Sequence, residues 1–98
     1  MEEEFKPPSP KGADYVERLK RDYIESTISL AESFARKAAR YTELGDEQAA
    51  LKARINFESF CRLAQEMVQK LRDPLVAEAF RVRLRTVGCD PERSRYVA

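Results

Sequence analysis

Two glutamates are the first candidates for chemistry, because carboxylates can act without histidine. Glu25 and Glu32 lie seven residues apart, so a helix would place them near one face. Acid–base catalysis would require one of them to be buried, with its pKa raised. The sequence has no histidine, which removes the commonest general base and His-containing zinc and di-iron sites. We therefore expect solvated glutamates and no enzyme, cofactor or metal site.

The two cysteines are the second candidates. Cys61 falls in a periodic apolar pattern, where a thiol acts as a small hydrophobic group, and Cys89 is expected to be the more exposed. A reactive thiol needs exposure and a positive environment. Arg62 is adjacent to Cys61, but Cys61 borders the apolar seam and is therefore expected to be buried. We expect a buried core thiol at Cys61 and no disulfide. With no signal-peptide pattern and no run of about 20 apolar residues, a soluble, cytoplasmic protein is predicted.

Arginines concentrate toward the end of the chain. Residues 1–50 carry 8 basic and 11 acidic residues, a net of −3, whereas residues 51–98 carry 10 and 6, a net of +4. Such a cluster could contact a phosphate backbone or an acidic partner. No interleaving of aromatic and basic residues supports base stacking, so surface charge with intramolecular pairs is the simpler interpretation. The arginines concerned are Arg81, Arg83, Arg85, Arg93 and Arg95.

A long first helix must carry the glutamates. Apolar residues recur at spacings of three and four, which predicts a helix starting at Lys11 or Asp14 and ending at Thr42 or Glu43. Its apolar face is wider than one partner helix needs. One stripe consists of Ile24, Ile28, Ala31, Ala35 and Ala38, and a second of Val16, Leu19, Tyr23, Leu30, Phe34 and Tyr41.

A tight turn and a second helix follow. The chain is predicted to turn at Leu44-Gly45-Asp46, because Gly45 can take a left-handed conformation and Asp46 can cap the next helix. A heptad seam then predicts a helix over residues 47–71, antiparallel to the first. The seam consists of Ala50, Ala53, Phe57, Phe60, Ala64, Met67 and Leu71.

The third element is ambiguous in sequence. Asp73-Pro74 suits the start of a shorter helix that ends at Gly88, but residues 80–85 alternate apolar and basic, as a half-buried strand does. We predict the helix, since there is no clear second strand to pair with. The domain assignment is a disordered tail over 1–10, a single helical domain over 11–88 and a basic tail over 89–98.

The turn resembles those of two helical hairpin families. Residues 41–46 followed by Ala50 resemble a tetratricopeptide-repeat turn, although Arg54, Phe57 and Arg62 depart from that pattern and the period does not recur. Ala38, Gly45-Asp46 and residues 50–51 are similar to the microtubule-interacting-and-transport hairpin. That resemblance implies a three-helix bundle that binds peptide helices in its grooves.

The predicted fold is all-α: a long two-helix hairpin with a shorter third helix that cannot cover its whole open side. The apolar surface left over predicts a homodimer, with two hairpins forming a larger helical bundle, or binding to another protein. The expected function is a non-enzymatic protein–protein interaction or oligomerisation module. Its interface residues would be Tyr15, Leu19, Tyr23 and Ile24. The alternative is a nucleic-acid-binding or transcription-associated regulator that uses the five arginines.

Overall fold

The computed structural model of the protein describes residues 9–89, and these form three helices without any strand. Helix α1 spans Ser9–Glu43, α2 spans Glu47–Gln69 and α3 spans Pro74–Val87. The predicted all-α hairpin with a shorter third helix is confirmed, since α1 packs along α2 and α3 lies against both. Of the two predicted tails, residues 1–8 and 90–98 lie outside the described residues. Side chains are described from residue 14 onward, together with Gly12.

Backbone hydrogen bonds close the hairpin at the predicted turn. Gly45 has a φ of 79°, and its N–H donates to the Thr42 carbonyl at 3.1 Å. The Asp46 N–H reaches back to the Tyr41 carbonyl at 2.9 Å, which completes a Schellman motif. The Asp46 carboxylate then accepts from the Ala49 N–H at 3.1 Å and so caps α2. Local chemistry alone therefore determines where the chain reverses.

The third element is a helix, as predicted. The Asp73 carboxylate accepts from the Leu75 N–H at 2.9 Å, and Pro74 occupies the first turn. Ala77, Phe80 and Leu84 are buried at spacings of three and four. A strand would instead have buried Val82 beside Phe80 and Leu84, but Val82 is about half exposed.

The core lies where the three helices meet. Ile24 and Ile28 of α1 are fully buried against α2, and Thr27 is buried with its hydroxyl donating to the Tyr23 carbonyl at 2.7 Å. Helix α3 adds its three buried side chains to the same cluster. The remaining buried members are Ala31, Cys61, Ala64, Val68 and Cys89.

The predictions of free thiols and an exposed Cys89 are wrong. Gly88 takes a φ of 107° and ends α3, and the Cys89 N–H donates to the Leu84 carbonyl at 2.8 Å. This second Schellman motif turns Cys89 back onto α2, where it is buried and forms a disulfide with Cys61. The two Cα atoms are 5.5 Å apart. Cys89 therefore belongs to the folded unit and not to the predicted C-terminal tail.

Polar groups of α1 hold the linker between α2 and α3. The Lys20 ammonium donates to the Lys70 carbonyl at 3.0 Å, at the end of α2. Two residues later, the Arg72 N–H donates to the Glu17 carboxylate at 2.6 Å. Glu17 also lies 3.8 Å from Lys20, with most of its side chain buried. The first helix thus fixes the point at which the chain enters α3.

Candidate interaction surface

The side of the hairpin that faces away from α3 carries a row of half-exposed apolar side chains. Helix α3 lies beside Glu25, whose carboxylate is 3.9 Å from the Arg83 guanidinium. Tyr23 is two residues from Glu25, which is about 160° around a helix, so it faces away from α3. We call this side the back face. Its exposed apolar members are Val16, Leu19, Tyr23 and Leu30 of α1 and Leu63 of α2.

The α1 part of the back face follows a heptad-like spacing. Val16, Leu19, Tyr23 and Leu30 are each 44–48% exposed, and they are separated by three, four and seven residues. Continuing the same arc leads to Phe34 and then to Lys37. At 100° per residue, Lys37 is the single charged residue on this arc between Val16 and Tyr41. Its ammonium lies 5.0 Å from the centre of the Phe34 ring.

Helix α2 completes the face next to α1. The Phe34 and Phe60 rings stack with their centres 5.6 Å apart, which joins the two helices on this side. Leu63 is 41% exposed one turn farther along, and Met67 is partly buried against the core. The back face is therefore one surface built from two helices.

Three of the four predicted interface residues are exposed. Tyr15, Leu19 and Tyr23 lie on or beside the back face. Ile24 does not, because its side chain points 100° away from that of Tyr23 and is fully buried in the core. Val16, Leu30 and Leu63 belong to the surface but were not predicted as interface residues. The seven-residue spacings from Val16 to Tyr23 and from Tyr23 to Leu30 were the signal for the first two.

The described arginines of the basic cluster lie in ion pairs within the chain. Arg81 and Arg85 each approach one oxygen of the Glu78 carboxylate at 3.4 Å. The Arg83 guanidinium lies 3.9 Å from the Glu25 carboxylate. All of these side chains are well exposed, so each pair contributes at most about 1 kcal/mol. Arg93 and Arg95 lie outside the described residues, and nucleic-acid binding stays a prediction.

The candidate catalytic carboxylates are not brought together in a site. Glu25 is an exposed partner of Arg83, and Glu32 lies two turns farther along α1, half-buried. Within residues 9–89 no three metal-binding side chains form a cluster. Across the same residues, no helix is both long and apolar enough to cross a bilayer.

Comparisons of the chain with protein-family models, with curated proteins and with solved structures found no match. The resemblance to two hairpin families is therefore confined to the residues that close the turn. A Schellman motif and an aspartate cap suit any tight helical hairpin, whatever its function.

Proposed function

We propose that the protein is a non-enzymatic oligomerisation module that pairs with a second copy of itself through the back face. The observation that carries this proposal is the α1 row of half-exposed apolar side chains, interrupted by one charged residue from Val16 to Tyr41. Contiguous apolar surface of this kind marks interaction sites in soluble proteins.

The size of the back face supports a specific interface. The 23 residues of α2 extend for about 35 Å, and two packed helices are about 20 Å wide. This whole side of the hairpin, its polar side chains included, therefore covers about 700 Å², close to the roughly 800 Å² per partner of a standard protein–protein interface.

A symmetric arrangement follows from the spacing. Tyr23 lies midway between Val16 and Leu30. A two-fold axis at Tyr23 would place Val16 of one copy against Leu30 of the other, with the α1 helices antiparallel. Such an interface covers every exposed member of the α1 row in both copies.

Analytical ultracentrifugation from 1 to 100 μM tests the proposal. We expect a concentration-dependent dimer that shifts toward monomer in the Leu19→Ser/Tyr23→Ser variant. Since both side chains lie on the surface, circular dichroism should show nearly unchanged helicity.

The matched control is Ile55→Ser/Leu75→Ser, which removes two exposed apolar side chains away from the back face. This variant should dimerise like the unmodified chain. A monomer at 100 μM for the unmodified chain, or equal loss of the dimer in both variants, would overturn the proposal.

The expected cytoplasmic location is a separate proposal, and the disulfide argues against it. Stable disulfides are rare in reducing compartments, because thiol systems there keep cysteines reduced. Cell fractionation combined with thiol alkylation tests the location. Recovery from the cytoplasmic fraction with Cys61 and Cys89 alkylated supports it, and recovery of the oxidised pair from an extracytoplasmic fraction contradicts it.

A further inference from the structure

A small cavity lies between the end of α2 and the second half of α3. Its volume is about 140 Å³. Val68, Leu84 and Cys89 supply its apolar lining, and all three residues are almost fully buried. An apolar protein cavity of about 150 Å³ accommodates a benzene ring. This cavity therefore has room for one ring or one short branched chain.

A hydrogen-bond donor without a partner lies at the wall of this cavity. Gln65 is one of the lining residues. Its side-chain amide nitrogen is buried, yet it donates no hydrogen bond to any residue that the structure describes. Buried polar groups in native proteins nearly always have a partner. An acceptor oxygen on a bound molecule would satisfy this donor.

The charged side chains of the cavity carry a single sign. Arg81 and Arg85 line it, and none of its other lining residues within the described chain is charged. Their guanidinium groups share one carboxylate, that of Glu78, at 3.4 Å each. Two positive charges with one negative charge leave an excess of positive charge beside the cavity. Since both arginine side chains are about half exposed and these ion pairs are weak, the guanidinium groups can turn toward a bound anion.

The backbone carbonyls at the end of α3 are already engaged. The Leu84 carbonyl accepts from the N–H groups of Gly88 and Cys89, at 3.1 and 2.8 Å. The Arg85 carbonyl accepts from the Gly88 N–H at 3.1 Å. The cavity thus combines an apolar interior with donors and positive charge. This combination is the complement of a carboxylate attached to a small apolar group.

From these observations we propose that the cavity binds a small carboxylate whose apolar part is a single ring or a short branched chain. The apolar part lies against Val68, Leu84 and Cys89. The carboxylate accepts a hydrogen bond from Gln65 and pairs with Arg85 at the mouth of the cavity. None of the lining residues belongs to the back face, so this proposal does not depend on self-association.

NMR titration of the isotope-labelled full chain with benzoate, at constant ionic strength, tests the proposal. We expect saturable chemical-shift changes with a Kd on the order of 1 mM, which suits a ligand of this size. The changes should be largest at the side-chain amide of Gln65 and at the backbone amides of Leu84 and Cys89. Benzamide has nearly the same shape without the negative charge, so it should bind about tenfold more weakly.

Two variants and a matched control locate the contacts. Arg81→Gln/Arg85→Gln should raise the Kd of benzoate by about tenfold, because it removes both charges from the cavity. Gln65→Met keeps the length of the side chain without its donor and should raise the Kd by about fivefold. The control Arg83→Gln should leave the Kd within about twofold, because this exposed arginine of the same helix lies near Glu25 and does not line the cavity. Circular dichroism checks that each variant remains helical.

Any one of four results would overturn the proposal. The first is the absence of saturable changes up to 20 mM benzoate. The second is a set of changes centred on residues outside the cavity, which would indicate a different site. The third is equal binding of benzamide and benzoate, which would indicate a site without preference for a carboxylate. The fourth is an equal Kd in Arg81→Gln/Arg85→Gln and in the Arg83→Gln control, which would show that the two lining arginines do not hold the ligand.

Discussion

At the scale of single residues, two glycines with equally open surroundings have opposite backbone requirements. A Cβ at Gly12 or at Gly45 would meet nothing within 4 Å. Gly12 lies inside α1, whereas Gly45 has a φ of 79° and closes the turn. Any difference between their alanine variants therefore reports on backbone conformation and not on packing.

We expect Gly45→Ala to lower the free energy of unfolding by about 1 to 2 kcal/mol, because L-residues are strained in the left-handed region. Gly12→Ala should raise it by up to about 1 kcal/mol, since alanine favours the helix interior over glycine. Urea denaturation followed by circular dichroism measures both variants. A shift of the same sign in both would contradict this conformational account.

The residue scale is also where sequence-based assignment of the site was weakest. Tyr23 and Ile24 are adjacent in the sequence, yet one is half exposed and the other fully buried. Both belong to apolar stripes of α1, and spacing alone does not say which stripe meets α2. That choice depends on where α3 packs, which is decided by contacts between distant parts of the chain.

At the scale of elements, α3 is held by few interactions. Its three buried side chains, the linker contacts of Glu17 and Lys20, and the disulfide account for most of its attachment. The ion pair between Arg83 and Glu25 is exposed and adds little. The disulfide should therefore contribute a large share of the stability of this element.

Reduction of the disulfide should lower the free energy of unfolding by about 3 to 4 kcal/mol, from the chain entropy of the 28-residue separation that it closes. The measurement is urea denaturation with and without a phosphine reductant. A Cys61→Ala/Cys89→Ala variant is the control, and its midpoint should not respond to reductant. An unchanged midpoint for the unmodified chain would show that the disulfide does not constrain its unfolded state.

The elements themselves were largely predictable, because their signals are local. Asp46, Asp73 and the glycines at 45 and 88 mark the helix ends in the sequence, and the structure uses each of them as predicted. The alternation over residues 80–85 is also compatible with a strand, and the burial of Ala77, Phe80 and Leu84 excludes that alternative. The disulfide was missed, since 28 residues separate the cysteines and only the packing of α3 brings them together.

At the scale of the whole molecule, contacts between charged groups and contacts between apolar surfaces respond differently to salt concentration. The net charge is +1, and both signs are interspersed. An interface built from the back face would remove mainly apolar side chains from water. Its strength should therefore depend little on screening by salt.

We expect the dimer dissociation constant to change by less than about threefold between 0.05 and 0.5 M NaCl. Sedimentation equilibrium at several salt concentrations provides the measurement. Loss of the dimer by tenfold or more at high salt would indicate an interface made by charged residues. Fluorescence anisotropy with labelled DNA and RNA at low salt is the parallel test of the nucleic-acid alternative, whose binding would fall steeply as salt rises.

The disulfide also determines what a proteolytic cut in the chain would release. Cys61 and Cys89 enclose the end of α2, the linker and all of α3 in one covalent ring. The linker contains Lys70 and Arg72, two exposed residues of the kind after which trypsin cleaves. A cut there would open the ring without releasing a fragment, so the nicked protein would keep its mass apart from one added water. Two pieces would separate only after reduction, and loss of α3 from the molecule therefore requires two chemical events.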